Sequence, residues 1–159
     1  MTQVALTING HECTADVEPR MHLADFLREN RRLTATHLGC EHGVCGACTV
    51  LINGEPARAC IALTVALEGA NIKTLEGFED DKRMAVLKNS FHERHGLQCG
   101  FCTPGMLISA WDLLRRKPNS SEREIREAMS GNLCRCTGYQ GIVRSIKHAA
   151  DELRGTAGA

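Results

Sequence analysis

GCEHGVCGACTVLINGEPARAC, residues 39–60, opens with three cysteines and three glycines, sets Asn53-Gly54 between two β-prone segments, and closes on a fourth cysteine. An Asn-Gly pair adopts the left-handed geometry of a two-residue hairpin turn, so TVLI and PARAC are predicted to pair antiparallel. The same device stands at the start of the chain. Val4, Leu6 and Ile8 alternate with polar neighbours and run into Asn9-Gly10, and HECTADVE continues in extended style toward Pro19. Between the hairpins, HLADFLREN (22–30) places Leu23, Phe26 and Leu27 at i, i+3 and i+4, as a short amphipathic helix requires. IALTVAL reads as another short helix and NIKTLE as a last strand. Two hairpins around a helix predict a small mixed sheet of the α+β kind over residues 1–76.

The acidic, turn-prone stretch EGFEDD (76–81) marks the expected boundary, with 77–81 as linker and 82–159 as a helical domain. Met84, Leu87 and Phe91 share one face of a first helix, which Gly96 is expected to stop in the left-handed conformation. Thr103 is the expected cap of the next helix and Pro104 lies in its first turn; Leu107, Ala110, Trp111 and Leu114 form its buried face. Ser121 to Glu124 has the pattern of a capping box. Ile142, Ile146, Ala149, Ala150 and Leu153 give the last helix its apolar stripe, and the GTAGA tail (155–159) is expected to fray. Four such helices make a bundle.

Nineteen basic and nineteen acidic residues cancel, which argues against a nucleic-acid or anionic-membrane partner. No apolar run approaches the ~20 residues of a membrane span, and the N-terminus lacks the pattern of an export signal, so a soluble cytoplasmic protein is expected. In such a compartment thiols stay reduced. Nine cysteines at short spacings are therefore better read as metal ligands than as disulfides.

Cys40, Cys45, Cys48 and Cys60 reproduce the C-x4-C-x2-C…C spacing of plant-type [2Fe-2S] ferredoxins. Glycines between them let backbone N–H groups approach the sulfurs, which a cluster of formal charge about −2 needs when withdrawn from water. The second group, Cys99-x2-Cys102 and Cys134-x-Cys136, comes from separate parts of the helical domain. The first pair precedes a helix, whose N-terminus favours thiolates. Spacing alone leaves zinc and iron–sulfur equally open here.

GCEHGVCGACTVLINGEPARAC, QCGFCTPGM and GNLCRCTGY together resemble the two-[2Fe-2S] small subunit of the molybdenum hydroxylases, the xanthine dehydrogenase and aldehyde oxidoreductase group, over roughly residues 3–153. The resemblance implies an N-terminal plant-type ferredoxin-like (β-grasp) domain followed by a C-terminal four-helix bundle. It implies a second [2Fe-2S] cluster on Cys99, Cys102, Cys134 and Cys136. It further implies that Gln98 hydrogen-bonds the pterin of a molybdenum cofactor held by a large partner subunit, with Cys136 close to the same pterin. A medium subunit would hold FAD. The assembly would be a hetero-oligomer of three kinds of chain, each present once or twice, passing electrons from molybdenum through the bundle cluster and the ferredoxin-like cluster to the flavin.

Blander readings stand beside these. Cys13 is expected to be an inert small hydrophobe, Trp111 and Met106 core or interface, Tyr139 packing, and Arg135 interface or tuning. His37 and His42 flank the first loop, but four cysteines already complete it. Without the resemblance, Gln98 is an ordinary loop amide. The chain shows no P-loop, GxGxxG, Ser-His arrangement or carboxylate pair, so no substrate-converting site is expected on it. A free ferredoxin shuttle is the competing function, and a zinc-stabilised interaction module the third.

Overall fold

A computed structural model of the chain describes residues 1–157. Five strands, β1 (Thr2–Ile8), β2 (His11–Val17), β3 (Thr49–Ile52), β4 (Glu55–Arg58) and β5 (Asn71–Lys73), form one mixed sheet in the order β2-β1-β5-β3-β4. β1 and β5 run parallel and every other neighbouring pair antiparallel. Both Asn-Gly pairs form the hairpins that the sequence predicts, with Asn9, Gly10, Asn53 and Gly54 all at positive φ. Pro56 is tolerated because β4 is an edge strand.

One face of the sheet buries Val4, Leu6, Ile8, Val50 and Ile72 against Leu23, Phe26 and Leu27. Burying each such side chain stabilises the fold by roughly 1.5–3 kcal/mol. The segment carrying them is a single α-turn, α1 (Leu23–Asp25), followed by a π-helical turn over Phe26–Asn30, where the sequence predicts one regular helix. Arg31 N–H reaches back to the Phe26 carbonyl, and Leu33 N–H to that of Leu27 at 2.9 Å. Arg28 braces the carbonyls of Thr34 and Thr36. The wider turn thus delivers the chain into the loop that leads to Cys40.

IALTVAL forms a 3-10 turn, Thr64–Leu67, preceded by another over Ala59–Ile61, in place of a helix. Its backbone groups are taken by extended pairing, Leu23 N–H to Ala62 O and Thr64 N–H to Met21 O. The predicted strand NIKTLE ends at Lys73, because the Asn9 amide bonds both the N–H and the hydroxyl of Thr74.

Four further helices follow: α2 (Lys82–Glu93), α3 (Thr103–Arg116), α4 (Glu122–Met129) and α5 (Gln140–Ala157). Their shared core includes Met84, Leu87, Met106, Ile108, Ile125 and Ile146. β3 joins the two cores. Alternate residues of a strand face opposite sides, so Val50 enters the sheet core while Leu51 enters the helical one. Phe78, from the stretch read as a boundary, is also buried among the helices and meets Trp111 edge to face at 5.0 Å.

Three helix ends depart from expectation in detail. At the end of α2 the left-handed residue is His95 (φ 55), and Gly96 N–H closes the motif on Phe91 O at 2.8 Å. Gly96 is needed for room, since a Cβ there would strike Ser145 Oγ. At α3 the cap position falls to Cys102, with Thr103 the first helical residue and its Oγ1 buried without a hydrogen-bond partner among the described residues. The expected fraying of the tail meets a helix that continues through Ala157; Gly158 and Ala159 lie outside the described residues. The capping box at Ser121 and Glu124 forms as read.

Candidate metal centres

The loop that carries Cys40, Cys45 and Cys48 folds back on itself, with Glu41, Gly43 and Gly46 all at positive φ. This aims the N–H groups of Val44 and Cys45 at Cys40 Sγ, each at 3.3 Å. The Cys45 N–H, followed by that of His42, draws the Cys40 thiol down to about 6. Cys48 and Cys60 are buried, and burial, reinforced by Cys48, pushes the Cys60 thiol up to about 11. His42 Nδ1 lies 2.5 Å from the Cys40 carbonyl oxygen.

The second site is assembled from two distant segments. Cys99 and Cys136 are exposed, and their sulfurs stand 3.4 Å apart. The free thiol of Cys102 shares a hydrogen bond with that of Cys134, which is buried. Burial, followed by Cys134, raises the Cys102 thiol to about 12. At Cys134 burial is the largest influence and raises the thiol, but the Thr137 hydroxyl and N–H outweigh it and hold the group below its ordinary value. Cys99 is also lowered, chiefly by the Phe101 N–H, and Cys136 is raised, chiefly by the Cys99 sulfur.

Each site therefore presents two pairs of sulfurs, Cys40 with Cys45 and Cys48 with Cys60 in one, Cys99 with Cys136 and Cys102 with Cys134 in the other. The pairs feel each other's charge, Cys60 that of Cys40 and Cys102 that of Cys99. Among the described residues no group of three or more His, Cys, Asp or Glu side chains is arranged to hold a single metal ion. Four thiols in two pairs, supplied with backbone N–H donors, have the chemistry that a binuclear iron–sulfur centre requires.

The two sites touch. Leu133, the residue before Cys134, donates its N–H to the Cys45 carbonyl at 2.8 Å. Next to it, buried Asn132 donates to Gly46 O at 3.1 Å and accepts from Ser109 Oγ at 3.0 Å. Arg58 clamps the same seam, bonding Gly131 O and Thr49 Oγ1, each at 2.6 Å. The fit is close enough that a Cβ on Gly105, in the first turn of α3, would run into Gly46 O. On the outer side, His37 stacks on Phe101 at 4.8 Å and meets its carbonyl. Reasoning from sequence missed Asn132, Leu133 and Arg58, because the partners that make them part of the seam, Gly46, Cys45 and Gly131, lie more than seventy residues away and no local pattern marks them.

Gln98 is exposed beside Cys99, and its amide makes no hydrogen bond among the described residues. Arg135 is exposed. Cys13 is partly buried against the sheet core, opposite Leu6. Met106 is core, whereas Trp111 is partly buried and donates through Nε1 to Asp81 at 3.0 Å. Tyr139, read as packing, also hydrogen-bonds, because its phenol oxygen accepts from Cys134 N–H at 3.1 Å. Among the described residues no helix is long and apolar enough to cross a membrane.

Two family profiles match the chain, a 2Fe-2S iron–sulfur cluster binding domain over residues 6–74 and a [2Fe-2S] binding domain over residues 74–147. The chain is 54% identical over 147 residues to caffeine dehydrogenase subunit gamma of Pseudomonas sp. (strain CBB1), covering 91% of this chain and 88% of that one. It is 45% identical over 151 residues to the nicotine 6-hydroxylase small subunit of Paenarthrobacter nicotinovorans, covering 95% and 91%. A chain of quinoline 2-oxidoreductase from Pseudomonas putida 86 superposes with a TM-score of 0.89 at 50% identity, covering 97% of this chain and 96% of that one.

Proposed function

Because the chain belongs to the iron–sulfur small subunits of the molybdenum hydroxylases, we propose that Cys40, Cys45, Cys48 and Cys60 hold one [2Fe-2S] centre and Cys99, Cys102, Cys134 and Cys136 a second. The chain is an electron-transfer subunit of an oxidoreductase. It carries electrons between a large molybdenum-pterin partner, where the substrate is converted, and a flavin-bearing partner or other acceptor. When bound, each [2Fe-2S] group supplies a site for one reversibly held electron.

The chain's own groups have separable roles. The N–H groups of Val44 and Cys45 compensate negative charge at Cys40, as those of Phe101 and Thr137 do at Cys99 and Cys134. The exposed rim of Gln98, Cys99 and Cys136 suits the pterin side, where a primary amide offers both donor and acceptor to a heterocycle edge. The exposed apolar side chains of Val44 and Ile61, beside the other loop, suit the acceptor partner. Cys134, Leu133 and Cys45 form the shortest bonded bridge described between the two sites. The similar proteins are named for caffeine, nicotine and quinoline, which supports a nitrogen heterocycle as the substrate of the complex.

The observation that carries this reading is the pairing of the sulfurs, two pairs at each of two sites joined by Leu133 and Cys45. Iron and sulfide analysis of the complex purified with its partners tests it. Four irons and four sulfides assignable to this chain, with two paramagnetic species after full reduction, are expected; Cys45→Ser should disturb only one of the species. Two irons, a single species, or two unaltered species in Cys45→Ser would overturn the assignment.

A further inference from the structure

The segment 134–139 closes a ring of hydrogen bonds around one cysteine. Thr137 Oγ1 lies 3.2 Å from Cys134 Sγ, and Thr137 N–H reaches the same sulfur at 3.5 Å. That hydroxyl oxygen also accepts from Tyr139 N–H at 3.1 Å, while the Tyr139 phenol oxygen accepts from Cys134 N–H at 3.1 Å. Tyr139 sits at φ 67, an uncommon conformation for a bulky residue. The left-handed backbone turns its N–H back onto Thr137 while its ring reaches Cys134. The ring closes over a cysteine that is only 7% exposed as a residue, so water does not compete freely for it.

The direction of the Thr137 bond follows from proton counting. A hydroxyl has one proton and two acceptor lone pairs. Tyr139 N–H occupies one lone pair. A sulfur bound to iron is a thiolate with no proton to give, so between Thr137 Oγ1 and Cys134 Sγ the donor can only be threonine. Such a charge-assisted bond strengthens as the acceptor gains negative charge, and reduction adds an electron to the centre the sulfur binds.

We infer that Thr137 is a tuning residue whose hydroxyl, held in place by the left-handed Tyr139, raises the reduction potential of the centre bound through Cys134. The inference rests on the assignment of Cys134 as a ligand. Losing one hydrogen bond of ordinary net strength changes an equilibrium by up to about tenfold. For a one-electron couple tenfold is 59 mV.

The experiment is a redox titration of the purified complex followed by electron paramagnetic resonance, comparing wild type, Thr137→Val and Thr137→Ser. Expected is a fall in the midpoint of one species in Thr137→Val, up to about tenfold in its reduced-to-oxidised ratio at fixed potential, with the other species unmoved. Thr137→Ser, which keeps the hydroxyl, should stay near wild type. Both midpoints unchanged in Thr137→Val, with both centres present, would overturn the inference. So would an equal fall in Thr137→Ser. If Thr137→Val loses the centre, Thr137→Ala takes its place as the variant without a hydroxyl; loss of the same centre from both, with Thr137→Ser at the wild-type midpoint, would leave a structural role and overturn tuning. Failure of the underlying ligand assignment reads differently, as fewer than four irons or a single species in the wild-type complex.

Discussion

The backbone N–H of Leu133 donates to the carbonyl oxygen of Cys45 at 2.8 Å, and this bond ties the loop of one cysteine site to the residue beside a cysteine of the other. The seat depends on close backbone approach, since Gly105 leaves room only for Gly46 O. Gly105→Ala should force the seam apart, with overpacking of this kind costing about 1–3 kcal/mol. Thermal unfolding of the complex should report the loss. The magnetic interaction between the two reduced centres should weaken in the same variant; an unchanged interaction would show that Gly105 does not set their approach.

Gln98→Ala removes an exposed amide that supports no other described residue. Stability and both paramagnetic species are expected to be unchanged. Electron delivery from the molybdenum partner should slow in single-turnover reduction of the assembled complex. A native rate would remove Gln98 from the pterin contact.

Asp81 serves two partners. Its Oδ1 caps α2 by accepting from Met84 N–H at 2.8 Å, and it also accepts from Trp111 Nε1 at 3.0 Å. Asp81→Ala should cost about 1–2 kcal/mol through the lost cap. A chain of this size then melts lower by roughly 2–4 °C per kcal/mol. Tryptophan emission should shift as well, because Trp111 is the only tryptophan. A cap variant with native emission would separate the two roles.

At the end of α2 the conformational demand and the steric demand fall on adjacent residues. His95 has the left-handed backbone, so His95→Gly should stabilise by about 0.5–1 kcal/mol. Gly96 lies against Ser145 and the Phe91 ring, so Gly96→Ala should destabilise by about 1–3 kcal/mol. Denaturant midpoints of the two variants should move in opposite directions.

The Glu124 carboxyl is held below its ordinary value, first by Ser121 N–H, then by the Ser121 hydroxyl and Lys117. A depressed folded value means that its contribution is present above the unfolded carboxyl value and is lost as pH falls through the folded one. The melting difference between wild type and Glu124→Gln should therefore be full near neutrality and close at acid pH. A difference constant across that range would assign the effect to helix propensity.

Local chemistry was legible without coordinates. Asn9-Gly10 and Asn53-Gly54 specify their hairpins because few residue pairs accept two successive left-handed conformations. Ser121 and Glu124 announce a helix start because the capping box is satisfied within four residues. The helix expected at IALTVAL failed because Ala62 and Thr64 bond Leu23 and Met21, remote from them in sequence, in extended form and outcompete a weak local preference. The left-handed stop moved from Gly96 to His95 because packing against α5 had first claim on the glycine.

The sequence by itself determined how the cysteines group, the α+β order and the family, since each is written in short spacings that backbone sterics and sulfur chemistry constrain. Only the tertiary structure decided which sulfurs stand together, Cys99 with Cys136 and Cys102 with Cys134, and that Leu133 meets Cys45. Those contacts join segments dozens of residues apart, and their geometry is set by how α3 packs on β3, which no local pattern encodes.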